Sequence, residues 1–233
     1  MSDEPLAFEP EQFQGLARVF PLPNLVMFPH VMQALHIFEP RYRALLEDAL
    51  AGDRLITMAT IAPADSHSEG AASPGGGPAL EPIACLCRVA THQRTPQGTY
   101  NALLLGVRRI RLGTELPPLR PFRVFEGEIL EDVEPEVPEE ATVAIQKDLL
   151  AAFRKTLPKI PDAQEQLDEL LGAKVSLGML SDIVAYSLDL DPRWKLRLLG
   201  ERDVLRRTRL LVEALSARAA RGPRPFPPLF SRN

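Results

Sequence analysis

Prolines divide the stretch from Val19 to Arg43 into short pieces, and this division constrains the fold more than any other sequence feature. Pro21, Pro23 and Pro29 each lack a backbone N–H, so one central strand cannot run through the whole stretch. The apolar residues before the first proline are typical of a strand. We therefore expect a short strand, a loop, a second strand and then a helix.

The second strand of this stretch is predicted from the alternation of residues 33–38. Odd and even positions of a strand point to opposite faces, so the two faces are Ala34, His36 and Phe38 against Gln33, Leu35 and Ile37. Pro40 suits the first position of a helix, because its missing N–H would have no partner there. A helix is therefore predicted from Pro40 to Leu50.

Four more strands are predicted beyond the helix, over Arg54–Ile61, Ile83–Arg94, Tyr100–Arg111 and Phe122–Leu130. The five residues 95–99 include a glycine and predict a hairpin. Gly106 indicates a bulge or a sharp bend. Six or seven mostly antiparallel strands with one early helix do not fit a doubly wound sheet. They favour a bent or partly closed β-barrel.

An acidic, proline-containing segment at residues 131–140 separates this β-rich part from a part with helical periodicity. Ser176 is a predicted helix cap, Asp191 and Pro192 open a further helix, and a short helix is predicted at residues 167–171. Helices with one apolar stripe must pack on each other, which predicts a small bundle. The predicted organisation is a β domain at 1–131, a helical bundle at 139–220 and a proline-rich tail at 221–233.

Several segments resemble the Lon protease N-terminal domain family, the substrate-binding region of an ATP-dependent protease. They are FPLP at residues 20–23, MFP at 27–29, LHIFEPRYR at 35–43 and NALLLGVRRI at 101–110. The chain departs from the family pattern at His30, where the family has glycine, and at Gly200, where the family more often has an acidic residue. If the family glycine has a positive φ, His30 must adopt the same conformation at some cost.

The resemblance runs from Val19 to Leu215 and implies an α+β fold, a PUA-like β pseudobarrel followed by helices. It covers only the substrate-handling part of such a protease. The sequence contains no phosphate-binding lysine motif and ends at Asn233, so neither an ATPase nor a Ser–Lys peptidase module is expected. The expectation is a stand-alone, non-enzymatic module without catalytic residues, a cofactor or a metal site.

Composition and charge favour a globular chain in the cytoplasm. The chain is 45% hydrophobic and 25% charged, which is typical of a globular protein. Its net charge of −4 argues against a nucleic-acid partner. The N-terminal residues MSDEPLAFEPEQF are acidic where a signal peptide is basic. No run of about 18 apolar residues is present, so no membrane partner is expected.

Residues with reactive side chains are predicted to have structural roles. Cys85 and Cys87 would share one face of a strand as small buried side chains, in preference to half of a metal site. Ser66-His67-Ser68 lies in the Gly-, Pro- and Ser-rich residues 62–82, a predicted flexible loop that would not position a catalytic triad. His36 and His92 are predicted to be structural, and Glu39 to pair with a nearby arginine.

The predicted function is binding of exposed apolar segments of other proteins, with a separate ATPase or protease as a further partner. The candidate peptide-binding residues are Met27, Phe28, Pro29 and Met32, because this loop carries many large apolar side chains. The alternative for the loop is that Phe28 and its neighbours fill the end of the barrel.

Two other functions stay open at this point. One is RNA binding through Arg108, Arg109 and Arg111, by analogy with other PUA-like folds. The other is an enzyme of unspecified type, or a component of a proteolytic system with an ATPase partner.

Overall fold

The structure is a computed structural model that describes residues 8–63, 77–156 and 175–221. A short 3-10 helix, Pro10–Gln12, comes first. The strands are β1 (Leu16–Leu22), β2 (Met32–Ile37), β3 (Leu55–Thr60), β4 (Ile83–Arg94), β5 (Tyr100–Glu115) and β6 (Arg123–Leu130). The helices are α1 (Pro40–Ala51), α2 (Glu139–Arg154), α3 (Leu177–Ser187), α4 (Pro192–Gly200) and α5 (Val204–Arg221).

Five of the six strands close into a barrel. The sheet order is β2-β5-β4-β3-β1-β6, and a further pairing between β5 and β6 joins the two sides. Only the pairing of β1 with β3 is parallel among these strands. β5 pairs with β2 from Tyr100 to Leu105 and with β6 from Arg109 onward. β2 therefore lies outside the ring, and the predicted α+β fold with a β pseudobarrel followed by helices is confirmed.

Local sequence signals placed most element ends correctly. The Ser176 hydroxyl accepts a hydrogen bond from the Met179 N–H at 3.1 Å, and the Asp191 carboxylate accepts one from the Arg193 N–H at 2.8 Å. Pro40 and Pro192 stand at the first positions of α1 and α4. These contacts confirm both predicted helix starts, because each cap satisfies an N–H that has no partner within the helix.

Two strands are longer than the sequence predicted. β1 begins at Leu16 and β5 continues to Glu115, where the sequence had indicated Val19 and Arg111. Both extensions pair with β6, Leu16 opposite Glu126 and Glu115 opposite Phe125. A pairing partner far along the chain leaves no local pattern, which explains the difference. The predicted helix at 167–171, residues 64–76 of the predicted loop and the tail from residue 222 lie outside the described residues.

The described residues form two apolar clusters, one from the barrel strands and the segment before them, with Val19 and Ile110 among its members, and one that barrel and helices share. The shared cluster joins the two parts. Its members include Phe20 and Ile56 from the barrel and Leu149, Leu180 and Leu211 from the helices. Cys85 and Cys87 are buried, free thiols in the same cluster, as predicted. The division into units at 1–131 and 139–220 that fold separately stays a prediction. No helix in the described part of the chain is long and apolar enough to cross a membrane.

The loop before β2 crosses directly over Gly106 of β5. The Gly106 N–H donates to the Val31 carbonyl at 2.9 Å, and the His30 N–H donates to the Gly106 carbonyl at 2.8 Å. A Cβ added at Gly106 would lie 2.1 Å from the Phe28 carbonyl oxygen. The register of β4 with β5 shifts at this glycine, so the predicted bulge is confirmed. Only glycine lets the two backbones approach this closely.

Substituting Gly106→Ala should lower the free energy of unfolding by at least about 2 kcal/mol, because the clash is with backbone that cannot rotate away. Gly113→Ala on the same strand is the matched control. Its added Cβ would meet Glu126 at an ordinary 3.5 Å, so a change below about 1 kcal/mol is expected. Urea denaturation of both variants measures the difference, and equal stabilities would contradict the close approach.

Buried charges join the barrel to the helices. Arg109 of β5 donates from Nη1 and Nη2 to Asp182 of α3, and from Nε to the Leu199 carbonyl at 2.9 Å. Arg207 of α5 donates to Asp132, which follows β6, with Nη1 at 3.1 Å from Oδ1. Burial alone would lower the pKa of Arg109, but the charges of Asp182 and Asp132 outweigh it and raise that pKa above its usual value. Arg109 is therefore charged in the core.

Substituting Asp182→Ala should lower the free energy of unfolding by about 3–5 kcal/mol, because two buried guanidinium groups lose their shared carboxylate. Glu128→Ala removes an exposed ion pair with Arg111 and should change the free energy of unfolding by less than about 1 kcal/mol. Thermal and urea unfolding measure the stability of both variants. A loss at Asp182 no larger than at Glu128 would show that the buried network does not stabilise the fold.

Candidate functional site

Three of the four predicted peptide-binding residues lie in the core. Met27 is 2% exposed and Phe28 is 0% exposed, and Pro29 is also buried. The alternative, that Phe28 and its neighbours fill the end of the barrel, is right in that they are buried. Met27 and Phe28 belong, however, to the apolar cluster shared with the helices and not to the cluster formed mainly by the barrel strands, so they do not fill the barrel. A role for Met27, Phe28 and Pro29 in peptide binding stays a prediction, and it would require the loop to move. Met32 is different, because 51% of it is exposed.

Met32 begins an exposed row of side chains on β2, which we call the β2 stripe: Met32, Ala34, His36 and Phe38. Phe38 is 63% exposed. The intervening residues Gln33, Leu35 and Ile37 face the helices or the core. The predicted alternation of this strand is therefore confirmed. The exposed face carries Met32 and Phe38, two of the large apolar side chains that are exposed in the described part of the chain.

The β2 stripe continues onto β5. Met32 lies opposite Leu105, Ala34 opposite Leu103 and His36 opposite Asn101. Residues directly opposite each other in a sheet share a face, so half-buried Leu103 and Leu105 extend the apolar surface beside Met32 and Ala34.

Contacts within the surface orient its aromatic end. His36 Nδ1 and Asn101 Oδ1 form a hydrogen bond of 2.8 Å. The His36 and Phe38 rings stack with their centroids 6.1 Å apart. The structural role predicted for His36 is consistent with both contacts, and they limit how the Phe38 ring can move. The surface offers apolar contact area at Met32 and Phe38.

A second candidate is a cleft of about 290 Å³ between the barrel and α3, lined by His30, Arg108, Glu131 and Met179 among others. His30 has a φ of 65°, so the residue that replaces the family glycine does adopt the left-handed conformation. Burial lowers the pKa of His30 below its usual value, against an opposing effect of Asp182. The cleft thus contains a largely neutral imidazole at neutral pH.

His30 should make stability depend on pH. Since its folded pKa lies below the ordinary value of about 6.5, the unfolded chain takes up a proton first as pH falls. The free energy of unfolding of the wild type should therefore drop more between about pH 7.5 and about pH 5.5 than that of His30→Asn. Asparagine is the matched control because it tolerates positive φ. Urea denaturation at both pH values measures the slopes, and parallel slopes would contradict the assignment.

The arginines proposed for RNA binding are all engaged with carboxylates. Arg109 is buried in its ion pair with Asp182, and Arg111 pairs with Glu128 at 2.9 Å. Arg108 Nε lies 3.5 Å from a Glu131 oxygen. Phosphate groups would have to displace these partners, so this strand does not present a free basic face.

The other side chains considered from the sequence have ordinary surroundings. Glu39 pairs with Arg41 at 2.8 Å, which confirms the local ion pair. His92 is exposed on β4. Ser66, His67 and Ser68 lie outside the described residues.

The family model for the ATP-dependent protease La (LON) substrate-binding domain matches residues 17–217. The chain belongs to this family. The match includes the whole barrel, the β2 stripe and most of the helical part. It falls on the substrate-binding part of Lon, and the matched region does not include the protease's peptidase part.

Relatives and solved structures agree with the family. The Lon protease of Heliobacterium modesticaldum is 27% identical over 203 residues, which are 85% of this chain and 23% of that protein. The Lon protease of Anaeromyxobacter dehalogenans is 25% identical over 214 residues, 91% of this chain and 24% of that protein. The chain thus spans about a quarter of the length of the curated relatives it matches.

The N-terminal domain of the Mycobacterium avium complex Lon protease has the same fold, with a TM-score of 0.62 and 20% identity over 86% of this chain and 98% of that one. The Lon N-terminal domain protein of Xanthomonas campestris has the same fold, with a TM-score of 0.60 and 21% identity over 85% of this chain and 97% of that one. These structures support the fold described above for a Lon substrate-binding domain.

The sequence predicted Met32 as a binding residue but did not predict that Phe38, Ala34 and Leu103 belong to the same surface. The signal was present in the alternation of residues 33–38. It did not show which face would be covered, because that depends on where α3 packs. Tyr186 of α3 donates to the Gln33 side chain and covers the opposite face.

Proposed function

We propose that this Lon substrate-binding domain is a non-enzymatic module that binds exposed apolar segments of other proteins through the β2 stripe. The observation that carries the proposal is the exposure of Met32, at the start of β2, and of Phe38, directly after its end, on the same side of this segment. Large apolar side chains grouped on a surface are typical of protein-binding sites. The family is described as a substrate-binding domain, which supports a binding function.

The binding strength of such a surface is modest. Burying the exposed parts of Met32 and Phe38 would contribute about 1–2 kcal/mol each, or about 2–4 kcal/mol together. That free energy alone corresponds to dissociation constants between about 1 mM and about 30 mM. Weak contact with many different segments suits a module that samples unfolded chains, and methionine adapts to varied partners.

The remaining parts of the proposal follow from the family. The module would deliver bound segments to a separate ATPase or protease, and its own side chains would perform no bond cleavage. The proposed location is the cytoplasm.

Binding of a chemically unfolded, fluorescently labelled test protein tests the site. The double variant Met32→Ser, Phe38→Ser should bind at least roughly tenfold more weakly than the wild type, because most of the apolar contact is removed. Leu119→Ser is the matched control, since Leu119 is 91% exposed but lies away from β2. It should bind like the wild type.

Two outcomes would contradict the proposal. Equal binding by the double variant would remove the β2 stripe as the site. Failure of the wild type to prefer the unfolded over the native form of the test protein would remove the function. Both variants alter exposed side chains, so circular dichroism should show unchanged folding.

A further inference from the structure

We propose that the partner segment binds as an added strand, pairing its backbone with the free edge of β2. This inference rests on the proposed function and specifies its mode: an extended, uncharged segment of another protein with apolar residues at alternate positions. Among the strands described, β2 pairs with β5 alone, and its other edge has no strand beside it.

The hydrogen-bond pattern between β2 and β5 shows which backbone groups of β2 point outward. The Gly106 N–H donates to the Val31 carbonyl, so that pair is a hydrogen-bonded one. Hydrogen-bonded and non-hydrogen-bonded pairs alternate along an antiparallel ladder. In this register the groups of Gln33, Leu35 and Ile37 point to β5. The N–H and C=O groups of Met32, Ala34 and His36 therefore point to the free edge.

Two side-chain contacts agree with this assignment. The Gln33 Nε2 donates to the Ala34 carbonyl at 2.7 Å, which is the contact expected of a carbonyl that faces away from β5. His36 and Asn101 approach closely through their side chains, as residues of a non-hydrogen-bonded pair do. Tyr186 also donates to the Gln33 Oε1, so an incoming strand has to displace only the exposed Nε2 contact from the Ala34 carbonyl.

The edge has none of the usual protection against pairing. Natural edge strands commonly carry charged residues, prolines or bulges that block another strand. Residues 31–38, VMQALHIF, contain no charged residue and no proline. The strand also pairs with β5 from Met32 to Ile37 without a register shift.

The chemistry of the edge selects its occupant. A row of outward N–H and C=O groups is matched by the backbone of another extended chain, in which each alternate side chain would lie beside Met32, Ala34 or Phe38. Those neighbours are uncharged, so a charged side chain there would lose hydration without gaining a partner. An apolar, uncharged segment fits both requirements.

The short length favours a transient partner over a second copy. A stable interface takes about 20–30 residues from each side. The edge offers the six residues of β2. A six-residue strand pairing is too small for a lasting dimer and suits brief capture of an unfolded segment.

Ala34→Pro tests the edge directly, because proline removes the outward N–H of Ala34 and leaves the inward hydrogen bonds to β5 in place. Ala34→Ser is the matched control, since it keeps that N–H. Ala34→Pro should weaken binding of the unfolded test protein by at least roughly tenfold, and Ala34→Ser should not. Melting temperature and circular dichroism confirm that both variants are folded.

A second measurement uses the wild-type protein and so does not depend on the fold of a variant. The probe is a short peptide of alternating valine and serine, compared with the same peptide methylated on every backbone nitrogen. This methylation removes the N–H donors along both edges and leaves the side chains unchanged. The plain peptide should bind, and the methylated peptide should bind at least roughly tenfold more weakly, as expected for Ala34→Pro.

The outcomes separate this inference from the proposed function. If Met32→Ser, Phe38→Ser weakens binding while Ala34→Pro and methylation do not, strand addition is wrong and the proposed function stands. If the wild type binds neither unfolded protein nor plain peptide, both fail. If sedimentation shows a wild-type dimer that Ala34→Pro abolishes, the edge serves a second copy and the inference is overturned.

Discussion

The ion-pair network of Arg109, Asp182, Arg207 and Asp132 determines how the helices sit on the barrel. It links β5, α3, α5 and the segment after β6, and its two arginines and Asp182 are buried. Removing charges from water costs much of what their attraction returns, so such a network specifies an arrangement more than it adds stability. Here the arrangement it specifies places α3 against one face of β2. The other face of β2 is left uncovered by any described element.

The crossing at Gly106 has a complementary effect. The loop that crosses β5 there buries Phe28 in the apolar cluster shared with the helices and brings β2 alongside the first half of β5. The second half of β5 is occupied by β6, which closes the ring. β2 is consequently an outer strand with a free edge. The position of the candidate binding surface is thus a consequence of two buried features that do not themselves face solvent.

Specific residues show how far the sequence predicts this fold. Ser176, Asp191, Pro40 and Gly106 act through their immediate neighbours, and each was assigned correctly. Met27 and Phe28 show the opposite case, because an apolar loop residue can be buried or exposed according to what packs on it. The arginine run at 108–111 likewise looked like a basic edge, yet its charges are paired with carboxylates as far away in sequence as Asp182.

The sequence by itself determined the kinds of elements, their ends, the β-then-helical order and membership of the Lon substrate-binding family. All of these depend on local periodicity, capping residues and short motifs, which act over a few residues. Only the tertiary structure decided which face of β2 is exposed, which arginines are neutralised and where the barrel closes. These depend on contacts between residues such as Arg109 and Asp182 that are distant in sequence, and their energies do not appear in any local pattern.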